Sequence, residues 1–375
     1  MIGNYNSEVE SSFADPSRDA SHDPKYISWN RNLENDFRRQ KRLSWSVTAP
    51  RRFAYRPFTA VNGYFEQGMN AMQYQLRRLF PAPDTQNLGI AVMGPRAENS
   101  GSVQMVGAIP DLAYFTYAVQ FYPRWRYEKV DDTSMFDVHD GEVIEGYRRI
   151  DNITHAALAA FTATYPGESI TKDDIFNYVY GLLHSSEYRE TYAADLKKML
   201  PRIPLAQDFR AFAEAGKSLA ALHLGYETVE PYELNGLDVQ GPGGERDYGF
   251  FAVRDKKMSF GKPTADQKAA GDRYDWSVIH YNERITLRGI PAEAYRYTLG
   301  SRSAIEWIMD RYWVKTDKAS GIVNNPNDWS REVGDPRYIL DLLARIVTVS
   351  LETVRIVDAL PGLNVQPSTV SGTSA

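Results

Sequence analysis

Residues 171–204 read TKDDIFNYVYGLLHSSEYRETYAADLKKMLPRIP, and this stretch decides the fold class. Ile175, Val179, Leu182 and Leu183 recur at helical spacing and give one apolar face. Thr171 with Asp174 three residues on is a helix N-terminal signal of the capping-box kind. Tyr188, Tyr192, Leu196 and Met199 form a further stripe, closed by Pro201 and Pro204. The same period extends in both directions. Ile153, Ala157, Leu158 and Phe161 precede it, and Phe209, Phe212, Leu219 and Leu222 follow. The middle of the chain is therefore a helical scaffold.

The pattern differs upstream. RRFAYRPF (51–58), VNGYFE (61–66), NLGIAVMG (87–94), SVQMVGAI (102–109) and YAVQFYPRWRY (117–127) are short runs of Val, Ile and aromatics. Gly, Pro and Asn punctuate them, as in strands. Residues 129–147 are acidic and read as a linker or exposed loop. Downstream, GPGG at 241–244 is a turn, and a loop is expected at 262–273. WSVIHYNERITLRGI (276–290) reads as strand–turn–strand. Helices are expected at 291–299 and 303–313, and Pro336 opens a long apolar-periodic stretch to Ala359. The expected class is α+β: a β-rich N-terminal half packed on a helical scaffold, with a small strand pair and a long C-terminal helix. The divisions are 1–30, a helical stub and linker; 31–147, β-rich; 148–360, mainly helical with inserted strands; and 361–375, a Ser/Thr/Pro-rich disordered tail.

Composition narrows the function. The 375 residues are 43% hydrophobic, enough for a core without staples. Cysteine is absent, which excludes disulfides, thiolate metal sites and a cysteine nucleophile and fits a reducing cytoplasm. The N-terminus has neither a basic flank nor an apolar run, so it is not a secretory signal. No stretch approaches the length of a membrane span.

Catalytic signatures fail one by one. AEAGKS (213–218) lacks the earlier glycine of a phosphate loop and lies within a helical stripe. HExxH, GxSxG and the Asn-Pro-Pro-Tyr or Asp-Pro-Pro-Tyr of amino-methyltransferases are absent. The histidines have no partners at metal spacing. Asp255-Lys256-Lys257 has the D-x-K shape of a nuclease half-site but lacks an upstream Pro-Asp. A stand-alone metal-dependent nuclease using Asp255 and Lys257 stays as an alternative, as does a non-catalytic assembly scaffold.

Three segments have the chemistry to read DNA. The net charge of −5 argues against such a partner, but distribution matters more than the sum. Between residues 31 and 56, Arg31, Arg38, Arg39, Lys41, Arg42, Arg51, Arg52 and Arg56 face only Glu34 and Asp36. Arg51, Arg52, Tyr55 and Arg56 are the candidate contacts there, with Pro57 stiffening the corner. Arginine neutralises phosphates and pairs bidentately with guanine. The second segment is QYQLRR, with Gln73, Gln75 and Arg77; glutamine pairs bidentately with adenine. The third is the connection 311–332, with Lys315, Lys318, Ser320, Asn324, Asn325, Asn327 and Trp329. Each segment has a second reading: a solvated basic face over core aromatics, a polar strand edge, and an Asn/Gly turn closing on the scaffold.

The long runs carry a resemblance. YRPF, QYQLRRLFP, the 173–204 run, GKSLAALHLGYETVEPY (216–232) and RSAIEWIMDRYWVKTDKASGIVNNPNDW…DPRYILDLLARIVTVSLETV (302–354) resemble the C-terminal specificity region of type ISP restriction–modification enzymes. The resemblance covers roughly residues 28–360. It implies a module that recognises double-stranded DNA and positions it for adenine-N6 methylation and restriction by other domains. Methyltransferase and helicase-nuclease domains would be its partners, in the same or a neighbouring polypeptide. S-adenosylmethionine, ATP and Mg would belong to those domains and no cofactor to this chain. The stub before residue 14 would be the end of a methyltransferase region. Two departures, Thr59 after YRPF and the segment QFYPRWRYE (120–128), fall in the β-rich half. They leave the target sequence unread. The whole reading requires that the front basic segment and the Asn-rich connection meet at one surface.

Overall fold

The computed structural model describes residues 1–15, 17–95, 101–116, 118–130, 141–244 and 246–366. Part of the segment expected to be a linker, 131–140, and the tail from 367 lie outside the described residues. The class is α+β, as the two periodicities dictate.

The strand Gly89–Met93 lies at the centre. It pairs antiparallel with Val103–Val106 on one side and Val119–Pro123 on the other. Strand alternation sends its side chains to two different cores. Ile90 and Val92 face a cluster built on the helices Lys172–His184 and Phe209–Leu224. Ala91 and Met93 face a second cluster built on Ala304–Arg311 and the long helix Tyr338–Asp358. Both faces are buried, which is why NLGIAVMG is a continuous apolar run rather than an alternating one. This central sheet is thus held between two helical layers.

The two central helices touch backbone to backbone. Gly181 and Gly216 meet at their crossing: a Cβ on Gly216 would stand 1.8 Å from the Asn177 carbonyl oxygen. That contact accounts for the glycine of AEAGKS. Thr171 and Asp174 form the expected capping box, with the Asp174 N–H donating to the Thr171 hydroxyl at 3.1 Å.

Several expected elements differ. The 188–199 stripe is two short helices, Ser186–Thr191 and Ala193–Leu196. The expected loop at 262–273 contains the helix Ala265–Ala269, started by a capping box between Thr264 and Gln267. The helix expected at 291–299 is a 3-10 turn, Ala292–Arg296, running into the strand pair Thr298–Leu299 and Arg302–Ser303. The strand Tyr147–Asp151 extends the β-rich region past residue 147 and pairs with Trp125–Lys129. Residues 361–366 are ordered: Gln207 N–H donates to Asn364 O at 2.6 Å, and Gln366 N–H to Leu205 O at 2.7 Å. Backbone pairing of this kind is invisible in a Ser/Thr/Pro composition. Among the described residues no helix is long and apolar enough to cross a membrane.

A polar chain is buried where the two cores join. Met105 N–H donates to the Tyr180 hydroxyl at 2.7 Å, and that hydroxyl donates to His223 Nδ1 at 2.6 Å. His223 Nε2 then donates to Thr353 Oγ1 at 2.9 Å, and Thr353 to Val349 O at 2.7 Å. These partners fix a neutral imidazole with its proton on Nε2. Burial pushes the His223 pKa down to about 3. His184, 5.5 Å away ring to ring, is also pushed well down, by burial and then by Arg189. The unfolded chain binds protons at the ordinary histidine value while the folded chain does not. The stability tied to neutral, buried His223 is therefore full above about pH 6.5 and falls as the pH drops toward 3, by about 1.4 kcal/mol per pH unit, and His184 acts in the same direction. Urea denaturation between pH 7 and 4 should show this slope, and His223→Gln should reduce it. An unchanged slope in that variant would place the acid sensitivity elsewhere.

Candidate nucleic-acid interface

The YRPF corner is the turn of a hairpin. Strand Pro50–Arg56 pairs antiparallel with Thr59–Tyr64, with a bulge between Ala54 and Arg56. Phe58 takes φ +54°, a left-handed conformation uncommon for a bulky side chain. What holds it there is burial: its ring packs edge-on against Tyr226, His223 and Tyr297. The hairpin is thereby pinned to the helical core by its own turn.

Strand alternation divides the basic segment. Arg52, Ala54 and Arg56 line a cleft of about 200 Å³ together with Gln104, Tyr114, His223 and Glu227. Arg51 lies on the other face, where burial first, and the nearby Arg77 in addition, lower its pKa while Asp84 opposes them.

Arg52 joins the front of the molecule to the back. It donates to both Glu227 oxygens, at 3.0 and 3.1 Å. Its guanidinium stands 4.8 Å from the centre of the Trp329 ring. Burial lowers the Arg52 pKa, but Glu227, Tyr226 and Tyr338 together outweigh it and the net shift is upward. The Tyr338 hydroxyl donates to the same carboxylate at 2.5 Å. Asn62, the cross-strand partner of Arg52, donates to Glu332 at 3.3 Å. The basic segment and the Asn-rich connection, some 270 positions apart, therefore meet at one surface. Glu227 organises this junction, and nothing local in the sequence marks it: its partners are distant in the chain.

The connection 311–332 is not an open loop. It forms a two-stranded ribbon, Lys315–Thr316 with Val323–Asn324, and then the helix Asn327–Glu332. Lys315, Lys318 and Asn324 are exposed on the ribbon. Ser320 donates to Asp317 at 2.8 Å, and this turn lowers the Asp317 carboxyl below its usual range. Asn325 donates to Asp328 at 3.0 Å.

Other candidates are spent on the framework. Arg56 donates to Asp111 at 2.7 Å and is largely buried, with its guanidinium 4.0 Å from the Tyr55 ring. Gln73 is buried and accepts from Arg77 Nε at 2.6 Å; Arg77 also pairs with Glu66 at 3.1 Å. Gln75 is exposed, in a turn rather than on a strand edge. Asn327 is buried and accepts from Val253 N–H at 2.9 Å while donating to Val253 O at 2.9 Å. Asn327→Ala should cost about 1–3 kcal/mol, the penalty for orphaned buried polar groups, as read by urea unfolding. Stability within experimental error of the unaltered protein would show that these two bonds are not part of the framework.

Residues 1–342 match the model of the Type ISP C-terminal specificity domain. The chain belongs to that family. Solved structures are similar along nearly its whole length. The ATP-dependent Type ISP restriction-modification enzyme LlaBIII bound to DNA is 32% identical at a TM-score of 0.78, over 97% of this chain and 21% of that one. A nuclease-deletion mutant of the Type ISP enzyme LlaGI in complex with a DNA substrate mimic is 32% identical at 0.77, over 98% and 31%. A DrdV–DNA complex is 33% identical at 0.76, over 96% and 33%. The specificity domain thus spans between a fifth and a third of these chains. No curated protein matches.

Lys257 is committed to Asp310 at 2.5 Å and lies 5.2 Å from the Trp313 ring. Among the described residues, no three His, Cys, Asp or Glu side chains gather as a metal site.

Proposed function

We propose that this specificity domain reads a double-stranded DNA target and holds it for adenine-N6 methylation and restriction carried out by other domains. The observation that carries the reading is the set of DNA-bound relatives, each similar over 96–98% of this chain at 32–33% identity. The junction of Arg52 with Trp329 supports it, because it gathers the two candidate segments. In this reading residues 1–30 close a methyltransferase region, residues 31–147 and 148–360 together form the reader, and methyltransferase and helicase-nuclease domains are its partners. S-adenosylmethionine, ATP and Mg act in those domains.

The proposed contacts divide by their chemistry. Lys315 and Lys318 neutralise phosphates. Gln75, Asn324 and Arg51 approach bases or sugars. Arg52, Trp329 and Tyr55 support the surface, with Arg56, Gln73, Arg77, Ser320, Asn325 and Asn327 bracing it through their bonds to neighbouring residues.

Selection of duplexes from a random-sequence library tests the reading, followed by binding measured by fluorescence anisotropy against salt. One enriched sequence and a steep salt slope are expected. Replacing Lys315 and Lys318 together by alanine should reduce the log–log slope by about 2, one counterion contact each, while leaving the preferred sequence unchanged. Equal binding to every duplex would overturn sequence recognition.

A further inference from the structure

Tyr74 is displayed in an unusual way. Its side chain is 72% exposed. Its backbone sits at φ +44°, a left-handed conformation that non-glycine residues keep only where the surroundings impose it. Tyr74 lies inside a turn closed by Leu76 N–H donating to Gln73 O at 2.9 Å, and the loop before it is bonded internally and to residues 30–32. Glu66 N–H donates to the Asn70 side chain at 3.0 Å, and Asn70 N–H to Glu66 O at 2.9 Å. Asn30 and Asn32 donate to the carbonyls of Met69 and Gln67 at 3.0 and 2.8 Å. Gln73, buried next door, is held by Arg77. A braced loop thus presents an outward tyrosine. Met72 beside it is equally open, and its sulfur accepts from the Tyr74 hydroxyl at 3.2 Å.

The surroundings suit a polyanion. Gln75, Arg77 and Arg78 follow directly in the chain and are exposed. Gln75 and Arg78 line a groove of about 260 Å³ together with Phe121, Tyr127, Asn152 and Arg126, the last paired with Glu128 at 2.6 Å. An aromatic ring beside amide and guanidinium groups matches the face of a base flanked by its phosphates. We infer that Tyr74 stacks on a base of the bound duplex and locally unstacks it, while Gln75 and Arg78 hold the adjoining strand in the groove. This rests on the DNA-reading function proposed above and adds to it a stacking residue.

The test uses the whole chain and the selected duplex, with 2-aminopurine placed at successive positions. Binding should raise the fluorescence at one position, reporting an unstacked base. Tyr74→Ala should abolish the rise and weaken binding on the order of tenfold, with thermal unfolding unchanged. Tyr74→Phe should retain both effects. A rise that persists in Tyr74→Ala, or no rise at any position in the unaltered protein while the duplex is bound, overturns the stacking role. Tyr74→Ala that leaves the DNA signals intact but loses association with a methyltransferase polypeptide reassigns the loop to a protein contact and overturns it too. Failure to enrich any duplex is a different result: it removes the DNA-reading function itself.

Discussion

Gly216→Ala is expected to destabilise the fold by at least about 3 kcal/mol, the upper end of the range for overpacking. The added methyl would sit 1.8 Å from the Asn177 carbonyl oxygen and 2.7 Å from Gly181 N. Those atoms are backbone of the facing helix, so no side-chain rotation relieves the clash. The helices would have to separate, and the reciprocal contact would open as well: a Cβ on Gly181 would meet Phe212 O at 2.1 Å. Between them the helices carry Tyr178, Leu182, Phe209, Phe212 and Leu219 of one core. Loosened packing would therefore spread through it. Urea denaturation measures the loss, with the exposed Lys217→Ala as a control expected to change little. A Gly216→Ala midpoint within experimental error of the unaltered protein would refute the close crossing.

Phe58→Ala should cost about 3–5 kcal/mol, as for other large-to-small changes of buried aromatics. It should also cost DNA binding at temperatures where the variant is still folded. The ring is the anchor of the hairpin turn, 5.2 Å from the Tyr226 ring. Without it the turn at φ +54° loses its main side-chain anchor, and Arg52 is expected to lose its register over Glu227 and Trp329. Phe58→Leu refills part of the space and should fall between the two. Loss of stability with undiminished binding would show that the hairpin is not a part of the DNA-reading surface.

Much of the candidate surface was legible as chemistry but not as geometry. The sequence groups Arg51 and Arg52 in one basic segment, whereas strand alternation sends them to opposite faces. The exposed state of Lys315, Lys318 and Asn324 agrees with a charged, amide-rich connection. The buried tasks of Gln73 and Asn327 were not legible, because an amide that reads a base and one that braces a backbone are the same side chain. Glu227 and Asp111, which secure Arg52 and Arg56, carry no local signature. Tyr74 carries no local signature, since a lone tyrosine among polar residues reads as ordinary; its backbone angle and exposure single it out.

The sequence by itself determined what depends on neighbours in the chain: helical stripes, caps, strand runs, turns and the α+β class. It also determined membership: the long runs carry the resemblance over roughly residues 28–360, and the family model matches residues 1–342. The tertiary structure alone decided that the central strand serves two cores, that Gly181 and Gly216 let two helices touch, and that Arg52 reaches Trp329 across some 270 residues. Periodicity reports which face of an element is apolar. Which element covers that face depends on contacts between distant segments, and no local pattern encodes their pairing.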